Sequence, residues 1–158
     1  MDKYIGTKLI EAEPAYRVSN EGEAPKIVTD AGEAFADYQT VDMGYRVRYA
    51  DGCESWSPKD VFEEAYRPID GMNFGLAIEA AKKGCKIARR GWNGKGMFLY
   101  YVPEGRYLAR TDAAKSIAAE DGKVDYGAYI AMKTANGNVV PWLASQTDIL
   151  TDDWVIVV

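Results

Sequence analysis

Apolar and polar residues alternate along Gly44-Tyr-Arg-Val-Arg-Tyr49 and again along Cys53-Glu-Ser-Trp56, with Asp51-Gly52 between them. Alternation at period two marks half-buried strands, and Asp-Gly supplies the positive φ of a tight turn, so the stretch predicts a β-hairpin. Ser57 and Pro58 then have the chemistry of an N-cap and a first helical position, predicting a short helix over Lys59 to Tyr66. Thr7 to Ala12 predicts a further strand. From Pro14 to Val41 the pattern is weak, and a mobile loop is expected in part of it.

After Arg67-Pro-Ile-Asp-Gly71 the pattern changes. Asn73 caps a helix that runs to about Gly84, with Phe74, Ala77, Ile78 and Ala81 on one face. Cys85 to Arg89 and Met97 to Val102 predict two strands joined by the turn Arg90-Gly-Trp-Asn-Gly94. A second helix is expected over Ala113 to Glu120, ending at Asp121-Gly122. Tyr129 to Thr134 and Asn138 to Pro141 form a hairpin around Asn136-Gly137. Ser145 caps a short helical turn, and Trp154 to Val158 closes the sheet. The reading is α+β: a small antiparallel sheet with short helices over residues 72–158, preceded by a hairpin-plus-helix module over 1–70.

Composition narrows the chemistry. Of 158 residues, 47% are hydrophobic and 27% charged, the balance of a folded globular chain. There is no histidine, which removes Ser-His-Asp triads, Cys-His dyads, imidazole zinc sites and histidine bases together. Cys53 and Cys85, the two cysteines, form no Cys-x-x-Cys pair. A net charge of −5 disfavours general nucleic-acid binding. No apolar run approaches the roughly 20 residues of a membrane span. Met1-Asp-Lys-Tyr-Ile-Gly6 has no basic segment leading into an apolar one, so a cytoplasmic protein is expected.

Two segments concentrate candidate chemistry. Arg89-Arg-Gly-Trp-Asn-Gly-Lys-Gly96 combines two guanidinium groups, an indole and close backbone approach. It would hold a phosphate with Arg89 or Arg90 while Trp92 stacks on a base; alternatively it is a hairpin turn whose Trp92 plugs the core. Trp142-Leu-Ala-Ser-Gln-Thr-Asp148 offers a second stacking plate in Trp142. Its Ser145, Gln146, Thr147 and Asp148 could read hydroxyls or a base edge, or serve as a capping box with Asp in place of Glu. Asn73 and Phe74 lie at a helix N-terminus, where anions bind readily. Asp152-Asp153 suggests a metal pair on paper, but adjacent strand residues diverge, and solvated acids are expected there. Asp125-Tyr-Gly-Ala-Tyr129 and the aromatics Tyr45, Tyr49 and Trp56 read as packing residues.

Met72-Asn-Phe-Gly-Leu-Ala-Ile-Glu-Ala80, Ala88-Arg-Arg-Gly-Trp-Asn-Gly94, Tyr129-Ile-Ala-Met-Lys-Thr134 and Trp142-Leu-Ala-Ser-Gln-Thr-Asp148 with Asp153-Trp154 together resemble the second class of Thoeris anti-defence proteins of phages. The likeness spans Met72 to Val158. It implies a sponge, a non-catalytic protein that binds cyclic ADP-ribose-type immune signals and holds them uncleaved. Some members also take cyclic dinucleotides at a separate site. The likeness further implies a homo-oligomer, commonly a tetramer, with pockets shared between subunits, and no cofactor. Carried over by motif, the ligand residues are Asn73, Phe74, Trp92, Asn93, Trp142, Ser145, Thr147 and Asp148, with Arg89 and Arg90 as the cations. The alternatives are a phage protein–protein adaptor acting through the tyrosine-rich N-terminal module, and a hydrolase of the same nucleotides using a metal held by Asp148, Asp152 or Asp153.

Overall fold

A computed structural model describes residues 7–92 and 96–158. The chain forms two compact units, Met1–Arg67 and Pro68–Val158. Both are mixed α and β with antiparallel sheets, so the fold class is α+β.

The first unit is a four-stranded sheet in the order β2-β1-β3-β4. Its strands are β1 (Glu11–Ser19), β2 (Lys26–Val28), β3 (Thr40–Arg48) and β4 (Glu54–Pro58), with helices α1 (Ala31–Asp37) and α2 (Lys59–Ala65). The β3–β4 hairpin turns at Asp51-Gly52 as expected, Gly52 adopting φ 84°. Gly44 is required by packing: a Cβ there would stand 2.2 Å from the Ser57 carbonyl oxygen and 2.6 Å from the Trp56 ring. The Arg17 guanidinium stands over that indole, 4.6 Å from the ring centroid. Tyr45, Phe62 and Tyr66 form a stacked column, with centroids 4.1 and 4.9 Å apart, that fastens α2 to the sheet.

Three expectations for this unit are corrected. The first strand begins at Glu11, not Thr7, and runs through Pro14 in full register with β3. β2 reaches only Tyr16 to Val18, so at Pro14 one side of β1 has no neighbouring strand and a missing N–H is tolerated. The weakly patterned stretch before Val41 contains β2 and α1, with Asp30 accepting from the Glu33 amide at 2.7 Å as N-cap. Ser57 caps nothing: it pairs with Tyr45 inside β4, and Pro58 takes the N-cap position without a side-chain bond. Extended pairing of the residue before a proline outcompetes the capping geometry.

The second unit is a five-stranded antiparallel sheet in the order β10-β9-β6-β5-β11. These strands are β5 (Lys86–Arg89), β6 (Phe98–Val102), β9 (Tyr129–Lys133), β10 (Val139–Pro141) and β11 (Trp154–Val157). Helix α3 (Phe74–Lys82) packs on one face through Ala77 and Ala81, both buried. Its core is Met72, Ala77, Ala81, Ile87, Leu99 and Trp154. Burial of each large side chain contributes about 1.5–3 kcal/mol. Met72 and Trp154 exchange backbone hydrogen bonds of 2.9 and 3.1 Å, and Ile156 donates to Ile69 at 2.9 Å, so the incoming chain lines β11.

Between β6 and β9 the chain makes an excursion that the pattern did not resolve. It contains a hairpin of β7 (Gly105–Leu108) and β8 (Lys123–Tyr126), joined through the single helical turn α4 (Asp112–Lys115). The helix expected to reach Glu120 stops at Lys115, because the Ser116 hydroxyl bonds back to the Ala113 carbonyl and the next amides close three-residue turns. Tyr126, expected as a residue leading into a strand, lies in β8 and meets Tyr107 edge-on at 5.7 Å. A cleft of about 470 Å³ beside this hairpin is lined by Glu104, Gly105, Arg106, Asp125, Tyr126 and Gly127. Cys53 and Cys85 are free thiols.

Candidate functional site

Trp154 organises the end of the second unit that carries most of the candidate residues. It starts β11, is fully buried, and donates its indole N–H to the Asp148 carbonyl at 2.8 Å. Three partly buried rings surround it: Phe74 at 5.5 Å, Trp92 at 5.7 Å and Trp142 at 6.0 Å between centroids. Phe74 also meets Trp142 at 6.2 Å, and Trp92 meets Trp142 at 6.3 Å. These rings come from the start of α3, the turn after β5 and the loop after β10, three segments distant in sequence. Trp92 and Trp142 lie at 66° to one another, so they are edge-on neighbours rather than two parallel plates.

Asn73 is the N-cap of α3, its side-chain oxygen accepting from the Leu76 amide at 2.9 Å. Helix α5 (Gln146–Ile149) has the expected capping box with Asp in the Glu position. Asp148 Oδ2 accepts from the Ser145 amide at 2.9 Å and hydroxyl at 2.6 Å, while the Ser145 and Thr147 hydroxyls bond at 2.8 Å. Satisfying its own helix end does not bury this segment, since Ser145, Gln146 and Thr147 all remain exposed. Asn93 lies outside the described residues.

The two adjacent arginines differ sharply. Arg89 shares the core side of β5 with Ile87 and pairs in register with Trp154. Its Nε and Nη2 donate to the two oxygens of Asp153 at 2.9 and 3.1 Å, and Nη1 donates to Asp148 Oδ1 at 3.0 Å. All three side chains are less than a third exposed, so screening is weaker than at the surface. Hydrogen bonding to Asp153, then to Asp148, raises the Arg89 pKa. The Arg89 hydrogen bond, assisted by Thr151, holds the Asp153 carboxyl below its ordinary range. Burial alone would push Asp148 up, but bonds from Ser145 and Arg89 outweigh it and the carboxyl also sits low. Arg90 is exposed and donates to a main-chain oxygen, that of Asp70.

The structure thus brings Phe74, Trp92 and Trp142 together and ties Ser145, Thr147, Asp148 and Arg89 into one hydrogen-bonded run. It corrects the reading of Asp153 as a solvated acid, and gives Trp154 a role that a strand-closing residue does not imply. One signal was available: Arg89 shares the inward parity of Ile87, and a cation on the core side of a strand needs a carboxylate partner. The Arg89 guanidinium also stands between Asp148 and Asp153, the position a metal would need. Among the described residues no cluster of three or more potential metal ligands is present.

Fold and site together define a small α+β domain in which three aromatic rings surround the buried Trp154 and a hydroxyl-bearing helical turn accepts its indole N–H. The model of the Thoeris anti-defense 2-like domain matches residues 72–157, and the chain belongs to that family. A relative, Thoeris anti-defense 2 of Bacillus phage SP01, is 40% identical over 86 residues, covering 54% of this chain and 94% of that protein. Membership indicates a phage role against Thoeris defence. Among the described residues no helix is long and apolar enough to cross a membrane.

Proposed function

We propose that the second unit is a sponge that binds a cyclic ADP-ribose-type immune signal and releases it unaltered. The observation that carries this reading is the ring cluster of Phe74, Trp92 and Trp142 beside the exposed Ser145 and Thr147 hydroxyls, within the span matched by the family. An adenine base offers a face to an indole, and such stacking contributes about 1–3 kcal/mol per base. Asn73, Ser145 and Thr147 suit ribose hydroxyls, and Arg90 suits the diphosphate. Useful capture needs a Kd of about 1 nM, near −12 kcal/mol. Two ring contacts and several charge-assisted bonds reach that gross scale, and a cyclic ligand loses little conformational freedom on binding.

The carboxylates Asp148 and Asp153 are spent on Arg89 and Ser145, which leaves neither as a free base for hydrolysis. The reading includes a homotetramer, checked by light scattering. The functional test is incubation of purified protein with glycocyclic ADP-ribose, followed by chromatography of the filtrate before and after heat denaturation. Ligand that disappears and returns intact supports sequestration. Ligand that stays in the filtrate, or returns as a cleavage product, overturns it.

A further inference from the structure

We propose, resting on the sponge reading, that Arg89 is a positioning residue for the ligand surface, and that the ligand's phosphate charge is met by Arg90 instead. The argument is one of donors and charge. Arg89 directs N–H groups from Nε, Nη1 and Nη2 at two carboxylates, so one positive charge faces two negative ones. A phosphate approaching it would meet a triad of net charge −1. Arg90 has an exposed guanidinium whose partner is the main-chain oxygen of Asp70. A carbonyl neutralises no charge, and the group keeps donors for a phosphate.

The Arg89 bonds hold elements that lie far apart in sequence. The bond to Asp153 fixes the start of β11, and hence Trp154. The bond to Asp148 fixes α5, whose carbonyl receives the Trp154 indole N–H. Trp154 in turn touches Phe74, Trp92 and Trp142. A side chain that never reaches the ligand therefore sets where the stacking rings stand. Lysine cannot replace it, because an ammonium lacks the planar fork that serves both carboxylates at once.

The test compares Arg89→Gln, Arg89→Lys and Arg90→Gln in the full chain. Three readouts are used: hydrogen-exchange rate of the Trp154 indole N–H in unliganded protein, thermal stability, and Kd for glycocyclic ADP-ribose at low and high salt. Binding is measured at a temperature where every variant is folded. The expected result is that both Arg89 variants speed indole exchange about 10-fold and weaken binding about 10-fold at either salt, with no rescue by lysine. Arg90→Gln should leave indole exchange unchanged, weaken binding about 10-fold at low salt, and flatten the salt dependence. Should Arg89→Gln fail to fold, Asp153→Asn, which keeps the side-chain shape, carries the same expectations in milder form. Unchanged indole exchange overturns the proposal, as does a salt dependence lost in Arg89→Gln rather than Arg90→Gln. So does a lowered melting point with Kd intact, which makes Arg89 structural only. If the unmodified protein binds no probe, the sponge reading and the Arg90 assignment both fall, while the exchange rate still decides whether Arg89 positions Trp154.

Discussion

Trp154 donates its indole N–H to the main-chain oxygen of Asp148, six residues earlier, at 2.8 Å. This bond joins a fully buried ring to the helical turn that carries Ser145 and Thr147. Trp154→Phe keeps a ring but removes the donor and part of the volume, leaving the Asp148 carbonyl unpaired. Loss of the bond and the space it fills is expected to cost about 2–4 kcal/mol, read from chemical denaturation of the second unit.

Ser145→Ala removes the side-chain half of the capping box at α5, the hydroxyl that accepts from the Asp148 amide and donates to its carboxylate, while the residue 145 amide still donates to Asp148 Oδ2. A stability loss of about 0.5–2 kcal/mol is expected. Ser145→Asp, which keeps an acceptor but places a second carboxylate beside Asp148, should recover little of it. Thermal melts of the three proteins distinguish the cases.

Trp92→Ala and Trp142→Ala should each weaken binding of glycocyclic ADP-ribose by about 1–3 kcal/mol, roughly 5- to 150-fold. Both rings also pack on the Trp154 core, so each variant should melt earlier as well. Calorimetric titration well below the melting point separates the two losses. Unchanged affinity in both variants would count against stacking.

Asp148 and Asp153 both have folded-state pKa values below the ordinary aspartate value. A depressed folded pKa means the stabilisation is fully present above the unfolded value, about 3.9, and is lost as pH falls through the lower folded values. With no histidine in the chain, stability of the second unit should vary little between about pH 5 and 8 and fall below about pH 4. Asp153→Asn should shrink that acid-side fall, as measured by melting temperature against pH.

Gly44→Ala tests the first unit alone. The added methyl would meet the Ser57 carbonyl oxygen and the Trp56 ring at distances no packed Cβ tolerates. Overpacking of this kind costs about 1–3 kcal/mol. Faster hydrogen exchange across β3 and β4 is the expected result, and exchange equal to the unmodified protein would refute it.

Features with a local chemical cause were legible in the sequence. Asp51-Gly52 and Asn136-Gly137 announce their hairpins because Gly52 and Gly137 need positive φ, and both have it. Asn73 and Ser145 announce helix starts because their oxygens satisfy amides three residues on. What was hidden depends on partners distant in the chain. Pro14 looks like a strand breaker until β2 is seen to stop short of it. Asp153 looks solvated until β11 is laid beside β5, which brings Arg89 within reach from sixty-four positions away. The β7–β8 pairing is of the same kind, joining two short segments across an intervening turn.

Strand β6 leaves the main sheet at Val102 and β9 re-enters it at Tyr129, and those two residues face each other in register. Everything between them is therefore a graft on a single doorway. Shortening that graft to a tight turn would keep the β6–β9 ladder. For an engineer, the doorway is where a reporter or an affinity handle belongs. For a phage lineage, it is where new surface can be tried beside a ladder that stays whole.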